Sequence, residues 1–207
     1  MVISLSQINF FHKLSEPNLL LLTTSISEKQ IPKGRSIWRE GDRVEKVWVI
    51  KDGIVKITKR SYNHQPLLVQ LCSEADIVYL SGSLSESNYS CDARALVPSV
   101  LWTIPLTVFR EIFKPKDIYY TQVIRELTKQ LECSYQLGVL HTRHADDRVT
   151  QILLDLKDKL GRTIKVTHED IASLTGLSRE TVSRSLTQLQ KQGTIRLSNG
   201  SIFLHKI

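Results

Sequence analysis

At 207 residues, with 41% hydrophobic and 24% charged positions, the chain has the make-up of one large or two small globular domains, which excludes a fibrous or low-complexity polymer. A formal net charge of +7 favours polyanionic partners without naming one. Cys72, Cys91 and Cys133 stand far apart with no CxxC spacing, which points away from zinc sites and disulfide frameworks toward a reducing compartment, and with no apolar run of roughly 20 residues and no basic start followed by an apolar run at the N-terminus, neither a bilayer span nor a secretory signal is expected.

Near the start, Phe10, Phe11 and Leu14 read as core side chains, and Ser15-Glu16-Pro17 reads as a cap with proline early in a helix that continues through Leu19 to Leu22. From Ile31 to Ile57 short β-rich runs are separated by Gly34, Gly41-Asp42 and Asp52-Gly53, the spacing of a barrel or jelly roll. Val47, Val49, Ile54, Val55 and Ile57 are expected inside, with Lys51, Lys56 and Lys59 wet. Trp38, Trp48 and Trp102 fall in predicted strands and read as core.

Catalysis finds no foothold: there is no G-x-S-x-G elbow, no P-loop and no HExxH. A cupin-like metal oxygenase, the best enzyme rival, needs H-x-H plus a third ligand, and the barrel offers His64 alone. The expectation is therefore not an enzyme.

A long helix is predicted from Asp117 to His141. Tyr120, Ile124, Leu127, Leu131, Ser134 and Gly138 follow a four-and-three spacing along it, the stripe of a coiled coil. The competing expectation is that the stripe packs on its own barrel. Pairing about a two-fold axis would double whatever element follows this helix; were that element a reader of DNA, two copies about 34 Å apart, one turn, would call for a palindromic operator. Thr142 to Ala145 is the expected hinge, and Val149, Ile152, Leu153, Leu156 and Leu160 form a further amphipathic helix ended by Gly161.

The segment THEDIASLTGLSRETVSRSLTQLQK that begins at Thr167 spells two short helices and a tight turn. Thr167 with Asp170 makes a capping box, Gly176 supplies the turn, Leu177 fills the angle, and Ser178 caps the second helix. In that second helix Val182, Leu186 and Leu189 face inward, which turns Arg179, Glu180, Ser183 and Arg184 outward. An arginine fork can donate twice to guanine and a glutamate can accept from cytosine, so these four are candidate base readers. Beyond Gly193, residues 194–204 alternate around Asn199-Gly200, a hairpin signal. Such a wing brings Arg196 or Lys206 to phosphates, with Lys191, Thr167 and Ser178 as further candidate DNA contacts.

The S-R-E-T-V-x-R core, matched by Ser178 through Arg184, resembles the recognition helix of the CRP/FNR family of bacterial transcription regulators. The glycine-punctuated strands likewise resemble the cyclic-nucleotide-binding fold, so the resemblance covers almost the whole chain. It implies an α+β protein: an N-terminal cyclic-nucleotide-binding-like β-barrel (residues 1–115), a dimerisation helix (116–141) and a C-terminal winged helix-turn-helix (142–207). It also implies a homodimer on double-stranded DNA that works with RNA polymerase, free of the membrane, in a bacterial cytoplasm or, if organelle-encoded, a plastid stroma.

At the effector position this chain departs from the family. Aligned on Asp76 and on Ala93-Arg94-Ala95, the two glycines of the family's G-D-x-x-G-E stretch become Ala75 and Tyr79, its glutamate Leu80, and its phosphate-binding arginine Tyr89. A cyclic nucleotide is not expected where its phosphate would lack a partner. The iron-sulfur branch needs a thiolate cluster near the N-terminus, yet no cysteine precedes Cys72. A haem would have only His64 or His12 as axial ligand. The cyanobacterial-type nitrogen regulators imply 2-oxoglutarate held by a basic residue of the long helix, here Lys129 or Arg125. Alanine occurs only at positions 75, 93, 95, 145 and 172, the mark of an AT-rich genome, which suits a plastid-encoded regulator of that branch. The rival readings are an effector-receptor module whose C-terminal domain meets protein, and a regulator controlled by abundance alone.

Overall fold

The computed structural model describes residues 5, 8–60, 66–85, 88–114, 117–198 and 200–205. Its elements fall into two compact units, Met1–Ile57 with Gln70–Ser134, and Thr58–Val69 with Tyr135–Ile207.

The first half of the chain supplies α1 (Glu16–Ser25), β1 (Ser27–Ile31), β2 (Ser36–Trp38), β3 (Lys46–Asp52), β4 (Val55–Arg60), β5 (Pro66–Cys72), β6 (Ile77–Val78), α2 (Leu80–Ser85), β7 (Asp92–Ala95), β8 (Ser99–Pro105) and α3 (Leu106–Ile112). The strands make two four-stranded sheets, β1-β8-β3-β6 and β2-β7-β4-β5. Antiparallel register puts Val47 opposite Ile104 and Val49 opposite Trp102. Residues paired this way share a sheet face, and these four pack with Phe11, Leu22, Phe109 and Phe113 in one cluster. Phe109 stacks on Phe113 at 4.5 Å, and each such ring buried contributes roughly 1.5–3 kcal/mol. That layer fastens α1, α3 and the start of the long helix α4 (Asp117–His141) to the first sheet.

The second half continues with α5 (Ala145–Leu160), β9 (Thr163–Ile164), α6 (His168–Thr175), α7 (Arg179–Lys191), β10 (Ile195–Ser198) and β11 (Ser201–Leu204). Val149, Ile152, Leu153 and Leu156 of α5 are sealed in with Ile171, Leu174, Val182 and Leu186. β10 and β11 form the hairpin, with Ser198 opposite Ser201. β11 is bordered in turn by β9 through Ile202 and Phe203.

Four expectations are corrected. Lys56 is buried, because Val55, Lys56 and Ile57 are all enclosed where β4 runs between β7 and β5; its aliphatic stem covers apolar surface as lysine stems do. Leu127 packs on the barrel-side core and leaves the outer stripe of α4, whose exposed members are Tyr120, Ile124, Leu131, Tyr135 and Val139. Ala145 is the first residue of α5, so the break after α4 is residues 142–144. Ser15 stands at the N-cap of α1 without a side-chain cap bond. Asn199, Lys206 and His64 lie outside the described residues.

Candidate nucleic-acid interface

The helix pair α6 and α7 is assembled by local bonds. Thr167 Oγ1 accepts from the Asp170 amide at 3.0 Å, while the Asp170 carboxylate accepts from the Thr167 amide at 3.0 Å and its hydroxyl at 2.8 Å. Ser178 Oγ accepts from the Thr181 amide at 3.2 Å. Each cap satisfies donors that an α-helix leaves open at its start and contributes roughly 1 kcal/mol. Both hydroxyls are therefore engaged within the protein. Between the helices Gly176 takes the left-handed conformation, φ +64°.

From Ser178 the helix α7 shows two faces. Val182, Ser185, Leu186 and Leu189 are buried; Arg179, Glu180 and Arg184 are exposed and Ser183 half-exposed. Arg184 Nη2 donates to Thr181 Oγ1 at 3.3 Å, which steadies the guanidinium beside the cap. Glu180 is held below the usual carboxylate range by a hydrogen bond from its own backbone N–H, then by the Ser178 hydroxyl, with the Arg179 and Arg184 charges adding to both. It stays an acceptor over the whole neutral range.

Farther along the same face, Thr187, Gln188 and Lys191 line one shallow hollow with Ser183 and Arg184. Thr187 and Gln188 escaped sequence reading, although their places at i+4 from Ser183 and Arg184 were a usable signal. On the wing, Arg196 lies across from Phe203 in the ladder, its guanidinium 4.9 Å from the ring centroid, exposed and oriented by cation-π contact. Arg148 was also missed. Its guanidinium donates to the Thr175 carbonyl just before the turn and to His141 Nδ1 at 2.8 Å.

The barrel interior is filled with rings. Tyr89 stacks on Trp38, Trp48 Nε1 donates to the Tyr89 hydroxyl at 3.1 Å, and that hydroxyl donates to the Lys46 carbonyl at 3.2 Å. The Tyr79 ring lies so close to Gly82 that a Cβ there would fall 2.0 Å from it. Among the described residues, the non-glycine positions with positive φ are Ala75 (69°) and Tyr79 (56°), the two places that align with glycines. The backbone keeps a glycine-type course, while bulky aromatics stand where a cyclic phosphate would need an arginine and bare amides; these residues do not fit one.

On α4, Lys129 Nζ lies 2.6 Å from Asp76 Oδ1, and Arg125 is exposed one turn earlier. Glu126, between them, is pushed above the carboxylate range by burial, against the pull of the Lys129 charge. Among the described residues no group of three or more His, Cys, Asp or Glu is placed to hold a metal ion, and no helix is long and apolar enough to cross a membrane.

Two family models match: a Crp-like helix-turn-helix domain over residues 147–207 and a cyclic nucleotide-binding domain over residues 28–116. The chain belongs to the CRP/FNR family of DNA-binding transcription regulators. Among its relatives in this family, the Cyclic AMP receptor protein of Thermus thermophilus is 27% identical over 198 residues, 93% of this chain and 90% of that protein. Electron transport regulator A of Shewanella oneidensis is 23% identical over 86% of this chain and 74% of its own. Among solved structures, the c-di-GMP responsive global regulator CLP of Xanthomonas campestris superposes with a TM-score of 0.76 at 18% identity, covering 92% of this chain and 99% of that one. FixK2 of Bradyrhizobium japonicum also gives 0.76, at 21% identity over 87% and 93%. At these identities the structural likeness is one of fold: a CRP/FNR barrel, long helix and helix-turn-helix.

Proposed function

We propose that this CRP/FNR regulator binds a palindromic operator as a homodimer, reading bases with Arg179, Glu180, Ser183 and Arg184. The observation that carries the reading is the two-faced α7: a sealed apolar stripe behind, an exposed guanidinium, carboxylate, hydroxyl and guanidinium in front, with both helix caps and the wing in place. Lys191 and Arg196 reach phosphates, and Thr167 and Ser178 serve through the helix N-termini they cap, whose free amides attract anions. Exposure of Tyr120, Ile124, Leu131, Tyr135 and Val139 along one helix supports the two-fold partner, since a monomer would leave this apolar row in water. Bound upstream of a gene, such a dimer acts with RNA polymerase, in a bacterial cytoplasm or a plastid stroma.

The ring-filled barrel supports regulation without a cyclic nucleotide. Control by 2-oxoglutarate, and with it nitrogen control, requires a dicarboxylate to displace Asp76 from Lys129 or to settle on Arg125 beside the half-buried Glu126. Selection of duplexes from a random pool by the purified protein, with and without 2-oxoglutarate or cyclic AMP, tests the whole reading. A palindrome should emerge, with affinity falling steeply as salt rises. Equal weak binding to every duplex would overturn it.

A further inference from the structure

At the end of α4 a single guanidinium nitrogen ties three elements together. Arg148 Nη2 carries two protons: one goes to the Thr175 carbonyl and the other to His141 Nδ1. Thr175 ends α6, so its carbonyl is one of those that the helix leaves without an internal partner; a cation there also suits the helix dipole. The Thr175 side chain is fully buried and bonded to Ile171, which leaves its carbonyl fixed in place. Gly176 follows directly. A Cβ on it would come 3.0 Å from Arg148 Nη2 and 3.2 Å from His141 Cε1, so the turn closes over both side chains. Two residues later Ser178 caps α7.

This geometry fixes the protonation state of His141. To accept from a guanidinium, Nδ1 must be bare, and the ring proton then sits on Nε2, which is buried without a partner among the described residues. We infer that His141 and Arg148 form a proton-sensitive latch that positions the helix-turn-helix, and that Arg148 is a positioning residue for DNA recognition. Adding a proton to Nδ1 sets donor against donor and cation against cation. Arg148 must then leave His141, and the Thr175 carbonyl loses the partner that holds the turn. Arg148 on α5 is the charge that bears on the ring, and Thr175 and Gly176 of the turn carry none; the Asp146 carboxylate of α5 accepts from the Ser185 hydroxyl of α7. Burial, then the Arg148 charge, draws His141 below the usual imidazole range. The latch therefore opens in mild acid, below the pH at which a free histidine titrates.

The inference rests on the DNA-binding reading, and its test separates the two. The full-length protein and His141→Asn, whose amide oxygen takes the place of Nδ1 and does not titrate, are titrated onto a duplex selected from the random pool. Fluorescence anisotropy is read at constant ionic strength between about pH 5 and pH 8. Taking the ratio of the two affinities cancels every other histidine. The ratio should be near one at the alkaline end and reach about tenfold in favour of H141N at the acid end, the effect of a titration midpoint that differs by about one pH unit between the free and the DNA-bound protein. A ratio that stays flat overturns the latch and leaves DNA binding standing; no selected duplex at any pH overturns DNA binding itself. Should H141N fold poorly, the His141 ring is followed by NMR in the wild type, free and DNA-bound. By linkage a tenfold effect moves its titration midpoint down by about one pH unit on binding DNA, and identical midpoints overturn the proposal.

Discussion

The ring of Tyr89 lies flat on that of Trp38, centroids 4.2 Å apart and planes 14° from parallel. This pair occupies the barrel where the family's arginine would meet a phosphate. Replacing Tyr89 by Ala should cost about 3–5 kcal/mol of stability, the range for deleting a large buried ring, as measured by urea unfolding. Millimolar cyclic AMP should leave the melting temperature of the wild type unchanged.

The Tyr89 phenol also gives the protein an alkaline limit. Burial, partly opposed by the hydrogen bond from Trp48, pushes its pKa up to about 12 from the ordinary 10.0. A raised folded-state value means that the stabilisation is whole below the unfolded value and is lost as pH rises through the folded one. Stability should therefore fall over the window from about pH 10 to 12, and Tyr89→Phe should flatten that fall in unfolding curves.

Glu126 has the same sign in a lower range. Its carboxyl is raised by burial, so its favourable contribution is complete below the ordinary carboxylate pKa and disappears as pH climbs through the folded value. Glu126→Gln should match the wild type in acid and melt higher at neutral pH. Equal melting temperatures at pH 7 would show that the carboxylate finds its own solvation.

Ala75 holds a left-handed backbone that costs an L-residue about 1–2 kcal/mol. Glycine there should gain a net 0.5–1 kcal/mol, roughly, after its extra freedom in the unfolded chain is counted. Tyr79→Gly should instead destabilise, because the packing over Gly82 is lost with the ring. Chemical unfolding of both variants separates backbone strain from side-chain packing.

Base readers and phosphate contacts should fail differently. Arg184→Ala should lose about 1–3 kcal/mol of discrimination at one base pair in each half-site. Arg196→Ala should weaken all duplexes alike and lower the salt slope by about one. Unchanged preference in Arg184→Ala would favour a C-terminal domain that meets protein. Leu131→Glu, which sets a charge in the exposed row of α4, should give monomers in sedimentation and abolish operator binding.

Much of this was legible in the sequence because the signals were local. The ends of α4 at Asp117 and His141 match its periodicity, and the Thr167-Asp170 box and the Gly176 turn formed as read, since their partners lie three or four residues away. What escaped depends on distant partners. Arg148 meets Thr175 at a separation of 27 residues; its trace in the sequence is a cation in the first turn of a helix, where the dipole disfavours one. Lys56 misled because alternation presumes one wet face, and β4 has none at that point. Leu127 fits the outer spacing as well as the inner, and only the packed barrel decides between them. Positive φ at Ala75 and Tyr79 is not expected of those residue types; only setting the chain against the family's G-D-x-x-G-E stretch places them opposite glycines.

The short ladder from β9 to β11 gives the hairpin a second anchor besides its own turn. Thr163 and Ile164 precede the capped helix pair, so the strand carrying Phe203 is pinned ahead of the elements that present Arg179 and Arg184. On the proposed reading, the distance between a contacted base and a phosphate met by Arg196 would thereby be set by the protein, which would make this half of the molecule a gauge of groove width as well as a reader of letters.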